Sequence, residues 1–447
     1  MTHPGIVPPY LLRQLADASD ALADAARATL VADERRRAVR AALSSGSAPK
    51  LAKSTSLVRE IHDAGHTETL PGKLVRTEGA APTGDVAADE AYDGLGATWT
   101  LYDEVFGRNS IDDAGMKLIG SVHYGEKYQN AFWDGTRMVF GDGDGEIFGR
   151  FTASLDVIGH ELTHGVTEHT AALVYSGQSG ALNESVSDVF GILVKQHALG
   201  QDAAASDWLI GADLLLPGVE GVALRDMLHP GTAYDDPRLG KDPQPADMAG
   251  YVRTTDDNGG VHYNSGIPNR AFALAATAIG GNAWDGAGRA WYDVLTGPDI
   301  TAGCNFATFA RLTTAAAEAR FGTGSPQAGA VRDAWATVGV TGAADGGSDA
   351  PAPVGRDSAL LLRRTGGFAG LTSERRTTIA ELPQPDRRAW RGLLADDTLP
   401  RLAADSRPRP DAFSYCVTCP DAAVDVEVAE PDLPKHLREL FERTLRG

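Results

Sequence analysis

The chain has 447 residues and a mass of 47.0 kDa, ample length for two or three cores, and its 43% hydrophobic content is ordinary for a globular protein. Its formal charge of −19 and pI near 5.0 argue against nucleic acid as a partner, because phosphate binding needs a basic surface. No run approaches about 18 apolar residues, which excludes a transmembrane helix, and the N-terminal stretch lacks the basic start and apolar core of a signal peptide.

In chain order, residues 1–50 open on Ile6-Val7-Pro8-Pro9-Tyr10-Leu11-Leu12 and continue into a helical stretch rich in Ala, Asp and Arg that ends near Leu43. The Ser/Gly/Pro tract that follows, Ser44 to Lys50, is a candidate cleavage region. Residues 51–153 alternate in the manner of strands, with many Gly and Asp turns, and from Ser154 to about Gly342 the pattern becomes helical. Gly141-Asp142-Gly143-Asp144-Gly145 lacks the twelve-residue oxygen ligand set of a calcium loop and reads as a hairpin turn.

The most informative string is His160-Glu161-Leu162-Thr163-His164. On a helix, two histidines four apart share a face and can chelate one ion, for which zinc is the default. Glu161 is then placed to take a proton from water as it attacks a carbonyl. Glu168 cannot be the third ligand, since His160, His164 and Glu168 would span roughly 12 Å of helix. A Gly-containing turn at Gly180 leads instead into a second helical pattern, in which Glu184 completes the site and Asp188 accepts the free N–H of a ligating histidine. Farther on, Asp257-Asn258-Gly259-Gly260-Val261-His262 is a Gly-rich loop; His262 can serve as a donor to an oxyanion with Asp257 orienting it, or be merely structural. Arg225, in Leu224-Arg225-Asp226-Met227, is equally open.

Together with Asn130-Ala131-Phe132-Trp133, these segments resemble the thermolysin family of zinc metallopeptidases, and its protealysin-like branch above all. The resemblance covers roughly residues 51–342 and implies an α+β, two-lobed fold with the zinc helix between a β-rich lobe (51–153) and a helical lobe (154–342). It implies His160, His164 and Glu184 as zinc ligands, Glu161 as base, His262 and Tyr175 as oxyanion donors, and Asp257 as the orienter of His262. Asn130 and Ala131 fall where the family binds substrate backbone, and Arg225 where it meets the carbonyl on the leaving-group side. Phe148, Val157 and Leu224 match the pocket after the scissile bond, implying cleavage before Leu, Phe, Ile or Val. Where the calcium-dependent members cluster carboxylates, this chain keeps Asp156 and Asp207 but has Lys195, Leu209 and Ala212, so the double calcium site is expected to be absent. The Pro-Pro-Tyr segment resembles a protealysin-type propeptide, lying across the cleft until self-cleavage around residues 44–54. Family members are exported, so secretion by a route without a signal peptide is implied, with a cytoplasmic location as the alternative.

A Gly/Ala/Asp/Pro linker at 343–356 separates a last α+β unit, 357–447. Its Gly-Gly-Phe-Ala-Gly turn, its Phe-x-Tyr strand and Asp432-Leu433-Pro434 before a final helix resemble emfourin, an inhibitor of protealysin-type enzymes. Cys416 and Cys419 lie three apart in that strand and so point to opposite faces, which disfavours joint metal ligation. The expected partners are therefore protein or peptide substrates, the chain's own propeptide and this inhibitor-like domain. A catalytically silent inhibitory module, or a zinc hydrolase acting on something other than peptides, are the competing readings.

Overall fold

A computed structural model describes residues 5–17, 21–43, 56–254, 256–340, 358–366, 371–395, 398–406, 413–419, 422 and 424–446. The expected cleavage region at 44–54, the linker at 343–356 and the Gly-rich turn at 367–370 lie outside the described residues. The chain separates into two compact units, one built from residues 1–300 and 306–344 and a second from 301–305 and 345–447.

The first unit begins with α1 (Pro9–Ala16) and α2 (Ala21–Leu43). Proline at the first position of α1 suits a helix start, where its missing N–H has no partner to lose. There follow β1 (Arg59–Asp63), β2 (Lys73–Thr77), α3 (Val86–Thr100), β3 (Leu118–Val122), β4 (Ala131–Trp133) and β5 (Met138–Phe140). The strands form one sheet in the order β2-β1-β3-β5-β4, with β1–β3 and β3–β5 parallel and the outer pairs antiparallel.

The structure departs from the local sequence pattern in two places. The strand-like first lobe contains the fifteen-residue helix α3, whose two interior glycines lower its helix propensity and mask it. Its start was nevertheless signalled, since the Asp85 side chain accepts the Ala88 N–H as an N-cap. Second, Gly141–Gly145 is not the hairpin turn. The β4–β5 hairpin reverses at 134–137, where Asp134 accepts the N–H groups of Thr136 and Arg137. The Gly/Asp run follows β5, and Asp144 Oδ1 gathers the N–H groups of Glu146, Ile147 and Phe148.

Next come α4 (Leu155–His169) and α5 (Gly177–Leu199), then the short pairs β6 (Leu209–Ile210) with β7 (Arg225–Asp226) and β8 (Asp235–Asp236) with β9 (Gly240–Lys241). The helical lobe closes with α6 (Asp257–Asn264), α7 (Gly266–Ile279), α8 (Ala287–Thr296), α9 (Phe306–Phe321) and α10 (Pro326–Thr337). Helices α4 and α5 cross at Gly159 and Gly191. A Cβ on Gly191 would stand 2.5 Å from the Asp156 carbonyl oxygen, so only glycine permits the approach that puts the two helices' side chains on one centre.

The second unit has an antiparallel sheet in the order β11-β10-β12-β13, from β10 (Ala359–Gly366), β11 (Leu371–Thr378), β12 (Phe413–Cys419) and β13 (Val424–Ala429). Helices α11 (Gln384–Ala395), α12 (Thr398–Asp405) and α13 (Lys435–Arg446) accompany it. Trp390 of α11 stacks on Phe441 of α13 at 5.0 Å over a core that includes Leu360, Leu362, Tyr415 and Val417. Along β12, Tyr415, Val417 and Cys419 are buried while Cys416 faces the other way, and both cysteines are free thiols.

Candidate metallopeptidase centre

The ligand set is built from two helices. On α4, His160 and His164 project from one face, with Nε2 atoms 3.1 Å apart. From α5, Glu184 brings its carboxylate to 3.6 Å from His160 Nε2 and 3.5 Å from His164 Nε2. All three are at most 2% exposed. Gly180 sits inside α5 rather than in a turn before it, where a Cβ would meet Val261 Cγ1 at 2.4 Å.

The partners of the outer nitrogens decide which ring nitrogen of each imidazole carries the hydrogen. His160 Nδ1 donates to Asp188 Oδ1 at 2.8 Å and His164 Nδ1 to Asn183 Oδ1 at 2.8 Å. With both protons committed outward, the two Nε2 lone pairs face each other beside a carboxylate. That arrangement repels itself unless a cation lies between them. The separations also match the edges of a tetrahedron of ligands about 2.0–2.2 Å from one ion. These residues therefore fit a zinc ion.

Asp188 is the hub behind this set. Besides His160 it accepts from Arg225 Nε at 2.8 Å, Arg225 Nη2 at 2.7 Å and Asn269 Nδ2 at 2.8 Å. Burial alone would push the Asp188 carboxyl up, but the Arg225 guanidinium and His160 outweigh it and hold the group far below the usual carboxylate range. Asn183, Asn269 and Ser187, whose Oγ is 3.0 Å from His164 Nδ1, were missed in the sequence. Asn183 had a signal in its place beside Glu184, whereas Asn269, 81 residues from Asp188, had none.

Glu161 is fully buried, and one of its oxygens accepts the backbone N–H of Trp133 at 2.9 Å. Opposite, Asp257 to Gly260 is not an irregular loop. Four successive residues adopt left-handed φ of 53°, 52°, 85° and 79°, and the turn then enters the helical residues of α6. That turn lets Asp257 hold His262 twice, through Nδ1 at 2.6 Å and through the backbone N–H at 2.8 Å. Burial would lower the His262 imidazole, but the Asp257 and Glu184 carboxylates prevail and raise it. Tyr175 Oη donates to Glu184 and lies 3.3 Å from His262 Nε2, and burial with nearby carboxylates pushes its hydroxyl well up, so it stays protonated. Phe148, Val157 and Leu224 are buried on three different segments, the last next to Arg225 on β7.

The chain's own N-terminus occupies this neighbourhood as a peptide. Ile6 N–H donates to the Ala131 carbonyl at 3.2 Å, and Val7 N–H donates to Asn130 Oδ1 at 2.9 Å. In return Asn130 Nδ2 donates to the Val7 carbonyl at 3.3 Å and Arg225 Nη1 to the Ile6 carbonyl at 3.2 Å. Ile6 and Val7 are fully buried, and Tyr10 stacks on Tyr263 at 4.5 Å. Behind them, Asp33 on α2 accepts from Tyr128 Oη and from Asn130 Nδ2, and Thr29 Oγ1 accepts the Gln129 N–H.

Residues 33–168 match the thermolysin metallopeptidase catalytic domain, 171–340 its alpha-helical domain and 362–445 emfourin. An extracellular metalloprotease from Pectobacterium carotovorum subsp. carotovorum is 52% identical over 343 residues, covering 75% of this chain and 96% of that one. A thermolysin from Alicyclobacillus acidocaldarius subsp. acidocaldarius is 40% identical over 266 residues, 57% of this chain and 46% of that one. Among solved structures, the precursor of protealysin, a metalloproteinase from Serratia proteamaculans, superposes with a TM-score of 0.70 at 53% identity, over 76% of this chain and all of that one.

Proposed function

We propose, for a chain that belongs to the thermolysin family of metallopeptidases and carries an emfourin domain, a zinc endopeptidase made as a self-processing precursor that cuts before hydrophobic residues. The observation that carries this reading is a peptide segment, Ile6-Val7, held by four backbone-directed hydrogen bonds beside the His160–His164–Glu184 triad.

Zinc held by His160, His164 and Glu184 would polarise a carbonyl and make water more acidic. Glu161, buried and oriented by Trp133 N–H, takes the proton of the attacking water and passes it to the leaving amine. His262, its imidazole raised by Asp257 and Glu184 against burial, and the protonated Tyr175 donate to the carbonyl oxygen as negative charge develops there. Asn130, Ala131 and Arg225 hold the backbone after the scissile bond, as they hold Ile6 and Val7. Phe148, Val157 and Leu224 form the apolar side-chain site, and a buried Ile6 is in keeping with an aliphatic preference.

By this reading residues 1–50 are the propeptide, cut somewhere around 44–54, and 357–447 restrain the enzyme. The extracellular relative supports secretion. Lys195, 3.3 Å from Asp156 and 2.9 Å from Asp207, puts an ammonium where calcium would otherwise neutralise those carboxylates, and supports the loss of the double calcium site. The test is incubation of purified precursor with casein, with and without a zinc chelator, while mass spectrometry follows the chain's own termini. Chelator-sensitive fragments ending before Leu, Ile, Val or Phe are expected. Casein left intact under all conditions overturns the reading.

A further inference from the structure

A second convergence of metal-binding groups lies on the β-rich lobe, built from residues outside the His160–His164–Glu184 set. His66, His123 and Asp142 each bring a ligand atom to within 4.8 Å of the others. Asp142 Oδ2 is 2.9 Å from His123 Nδ1 and 3.4 Å from His66 Nδ1. The other ring nitrogen of His123 is taken: Nε2 lies 3.1 Å from Asp85 Oδ2.

The backbone holds the two imidazoles together. Ala64 N–H donates to the Val122 carbonyl at 3.0 Å, His66 N–H to the His123 carbonyl at 2.8 Å, and Gly125 N–H to the Thr67 carbonyl at 3.1 Å. The turn after β1 is thereby clipped to the segment after β3. Both histidines sit at positive φ, 59° for His66 and 55° for His123, a conformation that non-glycine residues adopt only when their surroundings impose it.

We propose that His66 Nδ1, His123 Nδ1 and Asp142 form a second, zinc-class divalent metal site, with Asp85 fixing the tautomer of His123. Ligands about 2.0–2.2 Å from an ion stand roughly 3.3–3.5 Å from one another, so the His66–Asp142 edge is already in place and the His123–Asp142 edge opens by about 0.5 Å. Without an ion the His123 ring spans Asp142 and Asp85; burial would lower its imidazole, but these carboxylates outweigh it and raise the group. A divalent cation would take the place of the proton between His123 Nδ1 and Asp142. The metal–imidazole–carboxylate relay through Asp85 is the usual outer support of a ligating histidine. With His66 largely exposed, at 62% of its side chain, the ion has an open path and a free coordination position. Bound there, it would fasten the β1–β2 turn to the end of β3 and stabilise the sheet that carries Asn130.

The test uses the full chain carrying Glu161→Gln, so that self-cleavage does not change the sample. The protein is equilibrated with Zn2+, freed of excess by gel filtration, and its metal counted by mass spectrometry; Co2+ absorption reports the ligand class. Two equivalents are expected. His66→Asn, chosen because asparagine tolerates left-handed φ, and Asp142→Asn should each retain one equivalent and show a smaller zinc-dependent rise in Tm than the chain with two, since the remaining ion still stabilises the fold. His160→Ala should lose the other equivalent. A single equivalent in the chain without these further changes, or two that persist in both His66→Asn and Asp142→Asn, overturns the proposal. Failure of the peptidase reading is distinguishable, since it removes the His160-dependent equivalent and leaves the His66-dependent one.

Discussion

Asn130 and Val7 are joined by a reciprocal pair of hydrogen bonds, 2.9 Å from Val7 N–H to Asn130 Oδ1 and 3.3 Å from Asn130 Nδ2 to the Val7 carbonyl. An asparagine side chain can satisfy a peptide unit in this way without reference to its sequence. On the proposed reading, the same amide becomes available to a substrate only after this segment has left.

Gly5 offers a direct test of that exclusion. A Cβ there would stand 2.1 Å from the Ala131 carbonyl oxygen and 2.5 Å from Asn130 Oδ1. Overpacking of this kind costs about 1–3 kcal/mol, which as an equilibrium is roughly 5–150-fold. Gly5→Val should therefore mature faster and raise the peptidase activity of the uncut chain. Processing at the wild-type rate would argue that the segment does not obstruct the cleft.

Glu161→Gln should keep zinc yet lose activity by about 10²–10⁴-fold, the usual weight of a general base. The chain should then remain full length in a time course followed by mass spectrometry. Normal maturation with bound zinc would remove Glu161 from the mechanism.

Asp188→Ala should affect metal and stability together. The histidine it orients loses its acceptor, which is worth about 10–100-fold in zinc affinity. Arg225 is left buried and unpaired, at about 3–5 kcal/mol. Competitive chelation and thermal melting measure the two effects separately. Unchanged zinc affinity in a folded variant would contradict the orienting role.

Lys195→Met should destabilise the fold, because Asp156 is fully buried and Lys195 lies 3.3 Å away. The expected loss is about 3–5 kcal/mol, the range for breaking a buried pair. Melting of the wild type should not respond to a calcium chelator. A large drop in Tm on chelation would restore the calcium site.

Deletion of residues 343–447 should raise the rate of casein cleavage if the last domain restrains the enzyme. Identical kinetics with and without it would leave that domain an accessory role.

The pairing of His160 with His164 was legible because helical periodicity alone places i and i+4 side chains together. Glu184 and Asp188 were legible for the same reason, once a second helix was recognised. The β12 cysteines were legible too, since strand alternation separates Cys416 from Cys419. The start of α3 was marked by Asp85, but its interior glycines read as turn formers.

Local patterns thus determined which atoms could act as ligands and bases, because their spacing along one element is set by that element's own repeat. They did not determine what lies behind or across from those atoms. The crossing of α4 and α5 at Gly191, the fourfold use of Asp188 by His160, Arg225 and Asn269, and the seating of Ile6 and Val7 on Asn130 and Arg225 join residues 28 to 219 positions apart. Only the packed tertiary structure settles such pairings, since nothing along the chain records which distant backbone or carboxylate will fill a given donor's direction.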